Sequence, residues 1–237
     1  MSKYENLCII LAGGKGVRLG ASTPKQYIPI AGRTVIEYTL YAVKKWEQMD
    51  SLMIVADDEW IEYLDSVVKG VFEDSNVTFL GFAKPGTDRQ GSILNAMEHC
   101  EGQMAAGSVV MIHDSVRPML SETIISDCYS KMADHDGVTP VLKVKETIYE
   151  SIDGLTISSN LDRDHLYVGQ TPEFFDFHKY LEANRELAEE VFDSIRGSAQ
   201  PAVIAGMKVA IVDGDENNFK ITTKADMERF RRIKESK

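Results

Sequence analysis

A glycine-rich turn beside cationic side chains is the first group of residues in the chain that could carry chemistry. Residues 11–27 read LAGGKGVRLGASTPKQY, so an apolar run ends directly in Gly-Gly-x-Gly. Such glycines allow a ligand to approach the backbone, whose N–H groups can bind phosphate. Lys15, Arg18 and Lys25 add three positive charges to a chain whose net charge is −11. This combination favours an anion-binding turn over a solvated surface loop. The turn is neither a Walker loop nor an in-register Rossmann fingerprint.

Two further segments contain residues suited to nucleotide or metal binding. Residues 85–92 read PGTDRQGS, in which Arg89 and Ser92 could hold a base or a phosphate. Ser92 could equally cap a helix. Residues 112–118 read IHDSVRP, and Asp114 directly follows an apolar run. A carboxylate at that position commonly holds Mg²⁺, although Arg117 could instead pair with it and shape the loop.

A late lysine completes the set of candidate residues. Lys220 lies within NNFKITT, residues 217–223, and suits a developing negative charge or an ordinary turn before a helix. No G-x-S-x-G motif or isolated pair of carboxylates accompanies these segments. A cationic, glycine-lined site with one well-placed aspartate is typical of phosphoryl or nucleotidyl transfer. In such reactions the protein positions groups and neutralises charge.

Alternating strands and helices must position these residues. Predicted strands cover residues 6–11, 51–56, 77–82, 108–112, 137–144 and 208–212. Predicted helices cover residues 35–46, 59–72, 92–100, 121–133 and 223–234. This alternation predicts a largely parallel sheet, with ligands at the carboxyl ends of its strands. Residues 145–169 break the rhythm around Asp153 and Gly154, a hairpin signal that predicts a protruding arm.

Composition excludes several other classes of protein. A chain of 237 residues that is 43% hydrophobic predicts one domain, residues 1–237, with the arm as an excursion. We find no apolar run of about 20 residues, so no membrane segment is expected. The net charge of −11 argues against a nucleic-acid partner. The cysteines, Cys8, Cys100 and Cys128, are too scattered for a disulfide framework and fit a reducing cytoplasm.

Taken together, the motifs resemble a known enzyme family. LAGGKGVRLG…TPKQY, GTDRQGS, HDSVRP, DRDHLYVGQTPEFF and NFKITT occur in the order and at the spacing of the cytidylyltransferases that act on methylerythritol phosphate and ribitol 5-phosphate. The resemblance covers nearly the whole chain. It implies a Rossmann-like α/β fold with a β-arm that forms a homodimer. It also implies a magnesium-dependent transfer of CMP from CTP to a polyol phosphate, with release of pyrophosphate.

The resemblance also implies roles for individual residues. It assigns charge neutralisation at the transferring phosphorus to Arg18, Lys25 and Lys220. It assigns CTP binding to Leu11, Ala12, Gly13, Gly14, Pro85, Gly86, Thr87, Asp88, Arg89, Ser92, Asp114 and Arg117. Asp114 is the implied Mg²⁺ ligand. Thr147 and Arg163 are the implied arm residues that reach the polyol phosphate of the neighbouring subunit, together with Lys220.

The wording of the motifs favours ribitol 5-phosphate as the acceptor. AGGKG, HDSVRP and LYVGQTPEFF are closer to the ribitol branch, whereas the methylerythritol branch more often reads A-A-G-x-G and H-D-A-A-R-P. Gln170 and Thr171 are polar candidates for lining the acceptor site. The chain departs from the family at Gly197, where many members carry an aspartate, and this leaves methylerythritol phosphate as the alternative acceptor. A non-catalytic nucleotide-binding relative is a remote alternative.

Overall fold

A mixed sheet with helices on both faces forms the centre of the protein, as seen in a computed structural model that describes residues 3–14, 23–187, 195 and 197–236. The strands are β1 (Tyr4–Leu11), β2 (Pro29–Ile30), β3 (Arg33–Thr34), β4 (Ser51–Val55), β5 (Thr78–Ala83), β6 (Met104–Asp114), β7 (Gly137–Lys143), β8 (Ile148–Glu150), β9 (Ser159–Leu161), β10 (Tyr167–Gly169), β11 (Glu173–Asp176) and β12 (Val209–Asp213). The α-helices are α1 (Val35–Val43), α2 (Ile61–Phe72), α3 (Arg89–Cys100), α4 (Glu122–Lys131), α5 (Phe177–Arg185), α6 (Ala199–Ile204) and α7 (Lys224–Glu235).

The main sheet is mostly parallel, which confirms the predicted fold class. Among the described residues it has eight strands in the order β10-β7-β11-β6-β1-β4-β5, with β12 paired to β7. Strands β6, β1, β4 and β5 are mutually parallel, and β12 is parallel to β7. Strand β11 is antiparallel to both β6 and β7, and β10 is antiparallel to β7. These two antiparallel strands were not predicted.

Helices cover both faces of the central strands, and this explains why those strands are continuously apolar. Cys8 and Ile10 of β1 lie in a core cluster with residues of α1, α2 and α4. Leu7 and Ile9, which alternate with them, lie in a second cluster with residues of α3, α5 and α6. All four side chains are fully buried. The three cysteines are free and buried, in agreement with the absence of a predicted disulfide framework.

Several predicted element boundaries are wrong, and capping explains the clearest case. Helix α3 begins at Arg89, three residues before the predicted start at Ser92. Asp88 is its N-cap, because the Asp88 side chain accepts a hydrogen bond from the Gly91 N–H at 2.8 Å. Ser92 instead accepts from the Gly86 N–H at 3.0 Å and donates to the Asp88 carbonyl. Ser92 therefore closes the preceding loop and does not cap the helix.

Other helices differ from their predictions mainly at one end. Helix α1 stops at Val43, and a 3-10 turn, Asp58–Trp60, precedes α2. Ser121, the first residue of a predicted helix, is the N-cap of α4, since its side chain accepts from the Ile124 N–H. Helix α7 begins after Thr223, which forms a capping box with Asp226. Helices α5 and α6 had no counterpart in the sequence prediction.

Strands β8 and β9 form a separate antiparallel hairpin between β7 and β10. Asp153 lies in its turn and accepts hydrogen bonds from the N–H groups of Leu155 and Thr156. Apolar side chains at the tip are strongly exposed, with Ile152 at 89% and Leu155 at 90%. The hairpin thus carries apolar surface that the described part of this chain does not cover. None of the described helices combines the length and hydrophobicity needed to cross a membrane.

Candidate active site

The register of the central strands brings three loops to one edge of the sheet. Leu11 pairs with Asp114 across β1 and β6, and with Val55 across β1 and β4. All three residues end their strands, so the loops that follow start side by side. This is the carboxyl edge, where open α/β sheets bind ligands.

A cavity of about 490 Å³ lies at this edge. Its lining includes the following residues predicted from the sequence: Leu11, Gly13, Gly14, Lys25, Pro85, Gly86, Thr87, Asp88, Arg89, Ser92, Asp114 and Lys220. It also includes four that sequence reasoning missed: Gln26, Val55, Ser115 and Val116. Ala12 is buried next to the cavity, and Arg18 lies outside the described residues. Residues from six separate stretches of the chain therefore converge on one site.

Close packing explains two glycines of the cavity. A Cβ atom on Gly13 would come within 2.4 Å of the Pro85 side chain. A Cβ atom on Gly86 would come within 2.5 Å of the Gly91 backbone, at the start of α3. Gly14, in contrast, has no atom of the described residues within 4 Å of such a position. Gly13 and Gly86 therefore allow the glycine loop (residues 11–14) and the 85–92 loop to pack against their neighbours.

Asp114 lies at the centre of the positive charges of the site. Its Oδ1 accepts from Arg89 Nε at 3.3 Å and Nη2 at 3.2 Å. Its Oδ2 lies 2.9 Å from Lys220 Nζ and 3.6 Å from Arg117 Nε. Burial alone raises the pKa of Asp114, but the charges of Arg89, Lys220 and Arg117 outweigh it and hold the pKa well below its usual range. The carboxylate is therefore ionised throughout the physiological range.

Arg89 also contacts a second buried acid, Glu173, at the start of β11. Arg89 Nη2 lies 3.8 Å from Glu173 Oε2, and Arg89 Nη1 donates to the Ser198 hydroxyl. Burial raises the pKa of Glu173, and the charge of Arg89 opposes this effect. Arg89 is thus held by Asp114, Glu173 and Ser198, which fixes its guanidinium at the wall of the cavity.

Arg117 has a structural connection to the loop that carries Lys220. Arg117 Nη1 donates to the Asn218 carbonyl at 2.7 Å, and the Ile221 N–H donates to the Val116 carbonyl at 2.9 Å. Arg117 is absent from the residues that line the described cavity. This position agrees with the alternative in which Arg117 pairs with Asp114 and shapes the loop.

Gln170 and Thr171 do not line the described cavity, so the expectation that they contact the acceptor is not supported by their positions. Both are 5% exposed. Gln170 Nε2 donates to the Asp215 carbonyl at 2.9 Å, and the Thr171 hydroxyl accepts from the Asp114 N–H at 3.2 Å. Their polar groups are engaged inside the protein, where they connect the end of β10 to the loops that carry Asp114 and Lys220.

His113 takes part in the same internal network. Its Nε2 lies 3.1 Å from the Arg117 carbonyl, which can only accept, so Nε2 carries the hydrogen. Its Nδ1 then accepts from the Thr171 hydroxyl at 3.1 Å. Burial lowers the pKa of His113 to about 4. His113 is therefore a neutral, packed histidine that holds the Arg117 and Thr171 segments together.

The two predicted arm residues lie away from the described cavity of their own chain. Thr147 precedes β8 and is exposed, and Arg163 begins the 3-10 turn Arg163–His165 after β9. Arg163 Nη1 donates to the Lys145 carbonyl at 2.7 Å. Lys145 in turn pairs with Glu216, in the loop that leads to Lys220. The base of the hairpin is therefore connected to this loop.

Asp114 can serve a magnesium ion as a single carboxylate ligand. Among the described residues, no group of three or more His, Cys, Asp or Glu side chains could hold a metal. Magnesium is usually held by one or two carboxylates together with substrate phosphates. An ionised aspartate on the cavity wall fits an ion that enters with a nucleotide. Since both Asp114 oxygens accept from cations, Lys220 would have to leave Oδ2 when an ion binds.

The fold and the site together define an enzyme of the nucleotidyltransferase class: glycine-lined loops and cations meet at the carboxyl edge of a mostly parallel sheet. Residues 7–234 match the family described as 2-C-methyl-D-erythritol 4-phosphate cytidylyltransferase, IspD. The chain therefore belongs to the IspD cytidylyltransferase family. The prediction that it is a CTP-dependent enzyme is confirmed.

Individual relatives differ in the acceptor given in their names. The chain is 32% identical to a 2-C-methyl-D-erythritol 4-phosphate cytidylyltransferase of Thermotoga neapolitana, over 96% of both chains. It is 30% identical to a ribitol-5-phosphate cytidylyltransferase of Streptococcus pneumoniae, over 92% of this chain and 94% of the relative. The crystal structure of 4-diphosphocytidyl-2C-methyl-D-erythritol synthase from Anaerococcus prevotii has the same fold, with a TM-score of 0.78 and 24% identity, and the match covers 98% of this chain and 96% of that one.

Proposed function

We propose that the enzyme transfers CMP from CTP to ribitol 5-phosphate, which gives CDP-ribitol and pyrophosphate. A phosphate oxygen of the acceptor attacks the α-phosphorus of CTP, and the bond from that phosphorus to the pyrophosphate oxygen breaks. Negative charge grows on the transferring phosphoryl group and on the leaving pyrophosphate. The chain's contribution is to hold both substrates in line and to neutralise this charge.

In this proposal three cations neutralise charge on the transferring phosphoryl group: Lys25, Lys220 and Arg18. Lys220 lies against Asp114 at 2.9 Å, so a phosphate that enters the cavity competes with this carboxylate for the ammonium group. Asp114 keeps Arg89 and Arg117 as partners after such an exchange. The Asp114 oxygen that Lys220 leaves would hold Mg²⁺, which supplies further charge neutralisation when bound.

We propose that the hairpin completes the acceptor site of a second subunit. Ile152 and Leu155 at its tip are almost fully exposed, which is unusual for large apolar side chains unless a partner covers them. Thr147 and Arg163, near its base, lie outside the lining of their own chain's cavity. In a homodimer they would bind the phosphate of the acceptor at the neighbouring site.

The observation that carries the choice of acceptor is the composition of the cavity wall. Gly13, Gly14, Ser115 and Val116 belong to the motifs that resemble the ribitol branch, and all four line the cavity. The methylerythritol branch more often has alanine at the position of Ser115, so its site lacks this hydroxyl. A site that pairs a substrate hydroxyl discriminates strongly against an analogue without it, whereas a methyl group contributes only about 1–3 kcal/mol. Ribitol 5-phosphate has the additional hydroxylated carbon.

A second candidate acceptor is 2-C-methyl-D-erythritol 4-phosphate. The description of the matching family and the Thermotoga neapolitana relative favour it. Gly197, where many family members carry an aspartate, does not decide between the two. Among the described residues, a Cβ atom at Gly197 would have no atom within 4 Å, so their packing does not require glycine there.

The decisive experiment compares kcat/KM for the two acceptors at saturating CTP and Mg²⁺, from the rate of pyrophosphate release. We expect ribitol 5-phosphate to be preferred by about tenfold or more. Ser115→Ala should reduce this preference, and Ser126→Ala, a serine on the exposed face of α4, should leave it unchanged. A preference of about tenfold for methylerythritol phosphate would establish the second candidate instead.

A further inference from the structure

Gln26 is a buried polar side chain at the cavity to which no sequence motif assigned a role. It is 3% exposed and is the middle residue of the 3-10 turn Lys25–Tyr27. Its Nε2 donates to the Ala12 carbonyl at 2.6 Å and to the Gly14 carbonyl at 2.9 Å. A side-chain amide nitrogen has two hydrogens, so both are used. Gln26 therefore ties the turn that carries Lys25 to the glycine loop.

The turn itself is anchored in the core, so the amide of Gln26 has a fixed position. The Tyr27 ring stacks on Trp60 with a centroid separation of 3.8 Å and an interplanar angle of 12°. The Tyr27 hydroxyl donates to the Ala12 carbonyl at 3.4 Å, and the Tyr27 N–H donates to the Pro24 carbonyl at 2.9 Å. The Ala12 carbonyl thus accepts from two neighbouring side chains of one rigid turn.

These hydrogen bonds determine how two peptide groups of the glycine loop are oriented. A trans peptide is planar, with its carbonyl and N–H on opposite sides. Because the Ala12 carbonyl points at Gln26, the Gly13 N–H of the same peptide points away from it. The Gly14 carbonyl is held in the same way. Carbonyl oxygens carry partial negative charge, and an anionic nucleotide is repelled by those that face it.

We infer that Gln26 is a positioning residue for nucleotide binding. Its amide keeps two acceptor groups of the glycine loop turned away from the bound nucleotide. Through its own backbone it also sets the position of Lys25 on the cavity wall. This inference rests on the proposed function, since it takes CTP as the ligand of the loop. It concerns the free energy of CTP binding and does not depend on which acceptor is used.

The test compares two substitutions at Gln26 with one substitution at another buried side-chain amide, Asn184 of α5. Gln26→Met keeps the approximate shape and removes both donors. Gln26→Glu replaces the donors by oxygens that face two carbonyl oxygens. Asn184 is 2% exposed and its amide also makes two buried hydrogen bonds: its Oδ1 accepts from Gln90, and its Nδ2 donates to the Tyr180 carbonyl at 2.6 Å. Asn184→Leu therefore removes a comparable pair of buried hydrogen bonds that lie outside the cavity lining and do not involve the glycine loop.

The readout is the Kd of CTP, measured by calorimetric titration of the full chain in magnesium-containing buffer. We expect Gln26→Met to raise Kd about tenfold, which is the effect of losing roughly two ordinary hydrogen bonds. Gln26→Glu should raise the Kd of CTP further than Gln26→Met does. At low pH the Gln26→Glu variant should recover part of its affinity, because a protonated carboxyl can again donate one hydrogen. Asn184→Leu should change Kd by less than about twofold, while urea unfolding shows a comparable loss of stability.

The outcomes separate this inference from the proposed function. If the unsubstituted protein does not bind CTP, the proposed function fails. If it binds CTP and Gln26→Met binds equally well, the inference is overturned. An equal rise in Kd for Asn184→Leu would also overturn it, because the effect would then reflect stability alone. Loss of folding in both Gln26 variants would lead to the same conclusion.

Discussion

Replacing Lys220 by methionine should separate the structural contribution of this side chain from its contribution to the reaction. Lys220 Nζ lies 2.9 Å from Asp114, but its side chain is 36% exposed, so solvent screens the pair. Asp114 also keeps Arg89 and Arg117 as partners. The expected loss of stability is therefore that of a partly exposed ion pair, about 1 kcal/mol or less. A domain that is stable by about 5–15 kcal/mol remains folded after such a loss.

The effect on the rate should be much larger than the effect on stability. Removing one group that stabilises developing charge typically costs about 10²–10³ in kcat, or about 2.7–4 kcal/mol in activation free energy. We expect a decrease of this size for Lys220→Met, with a smaller change in KM for CTP. The assay is the initial rate of pyrophosphate release at saturating CTP, with each polyol phosphate in turn. Urea unfolding of the same samples measures the change in stability.

Lys179→Met is the matched control for this measurement. Lys179 also pairs with an aspartate, Asp136, and its side chain is 59% exposed, but it lies on α5 outside the cavity lining. It should lose a similar small amount of stability and keep its kcat. A kcat for Lys220→Met within about threefold of the unsubstituted enzyme would refute the catalytic role of Lys220. An equal decrease of kcat in both variants would refute the argument that Lys220 acts through its position in the cavity.

Three further predictions address the metal, the arm and a helix cap. Excess chelator should abolish pyrophosphate release, and full activity in chelator would remove Asp114 from a metal role. Arg163→Ala and Lys25→Ala should each be inactive. A mixture of the two variants should recover part of the activity after subunit exchange, because each mixed dimer holds one intact site. No recovery despite demonstrated exchange would place each site within one chain. Asp226→Ala should destabilise the fold by about 1 kcal/mol at neutral pH, since its carboxylate accepts from Thr222 and Thr223 at the start of α7. Burial raises the pKa of Asp226, but these hydrogen bonds outweigh burial and lower the pKa below its ordinary value of 3.8. The stabilisation is therefore present above pH 3.8 and is lost as the pH falls through the lowered pKa. A stability difference between variant and parent that stays constant down to acid pH in unfolding experiments would contradict this account.

Local patterns in the sequence predicted the central strands and most of the helices. Residues 7–10 of β1 and 52–55 of β4 are buried and apolar without interruption, and such runs indicate buried parallel strands without knowledge of their neighbours. The cap at Ser121 is equally local, because it depends on residues three positions apart. The start of α3 was wrong because Asp88 and Ser92 are both good capping residues. Only the path of the 85–92 loop decides between them.

The antiparallel strand β11 could not be predicted in this way. Its four residues, EFFD, are short, and they belong to the main sheet because they fit between β6 and β7. That pairing joins segments that are distant in sequence, and no local period records it. The burial of Glu173 at the start of β11, next to Arg89, follows from the same insertion.

The sequence by itself determined which residue types meet in the candidate site: glycines, cations and two aspartates, in motifs whose order identifies the family. The tertiary structure decided where each of them lies and what it contacts. Strand register places Asp114 beside Leu11, and the folded loops surround its carboxylate with three cations. Gln26 lines the cavity, whereas Gln170 and Thr171 bond inside the protein, because hydrogen bonds over long sequence separations set the direction of their side chains. Residue type is local, but direction and partner depend on the packing of the whole chain, and these are the properties that the tertiary structure alone supplied.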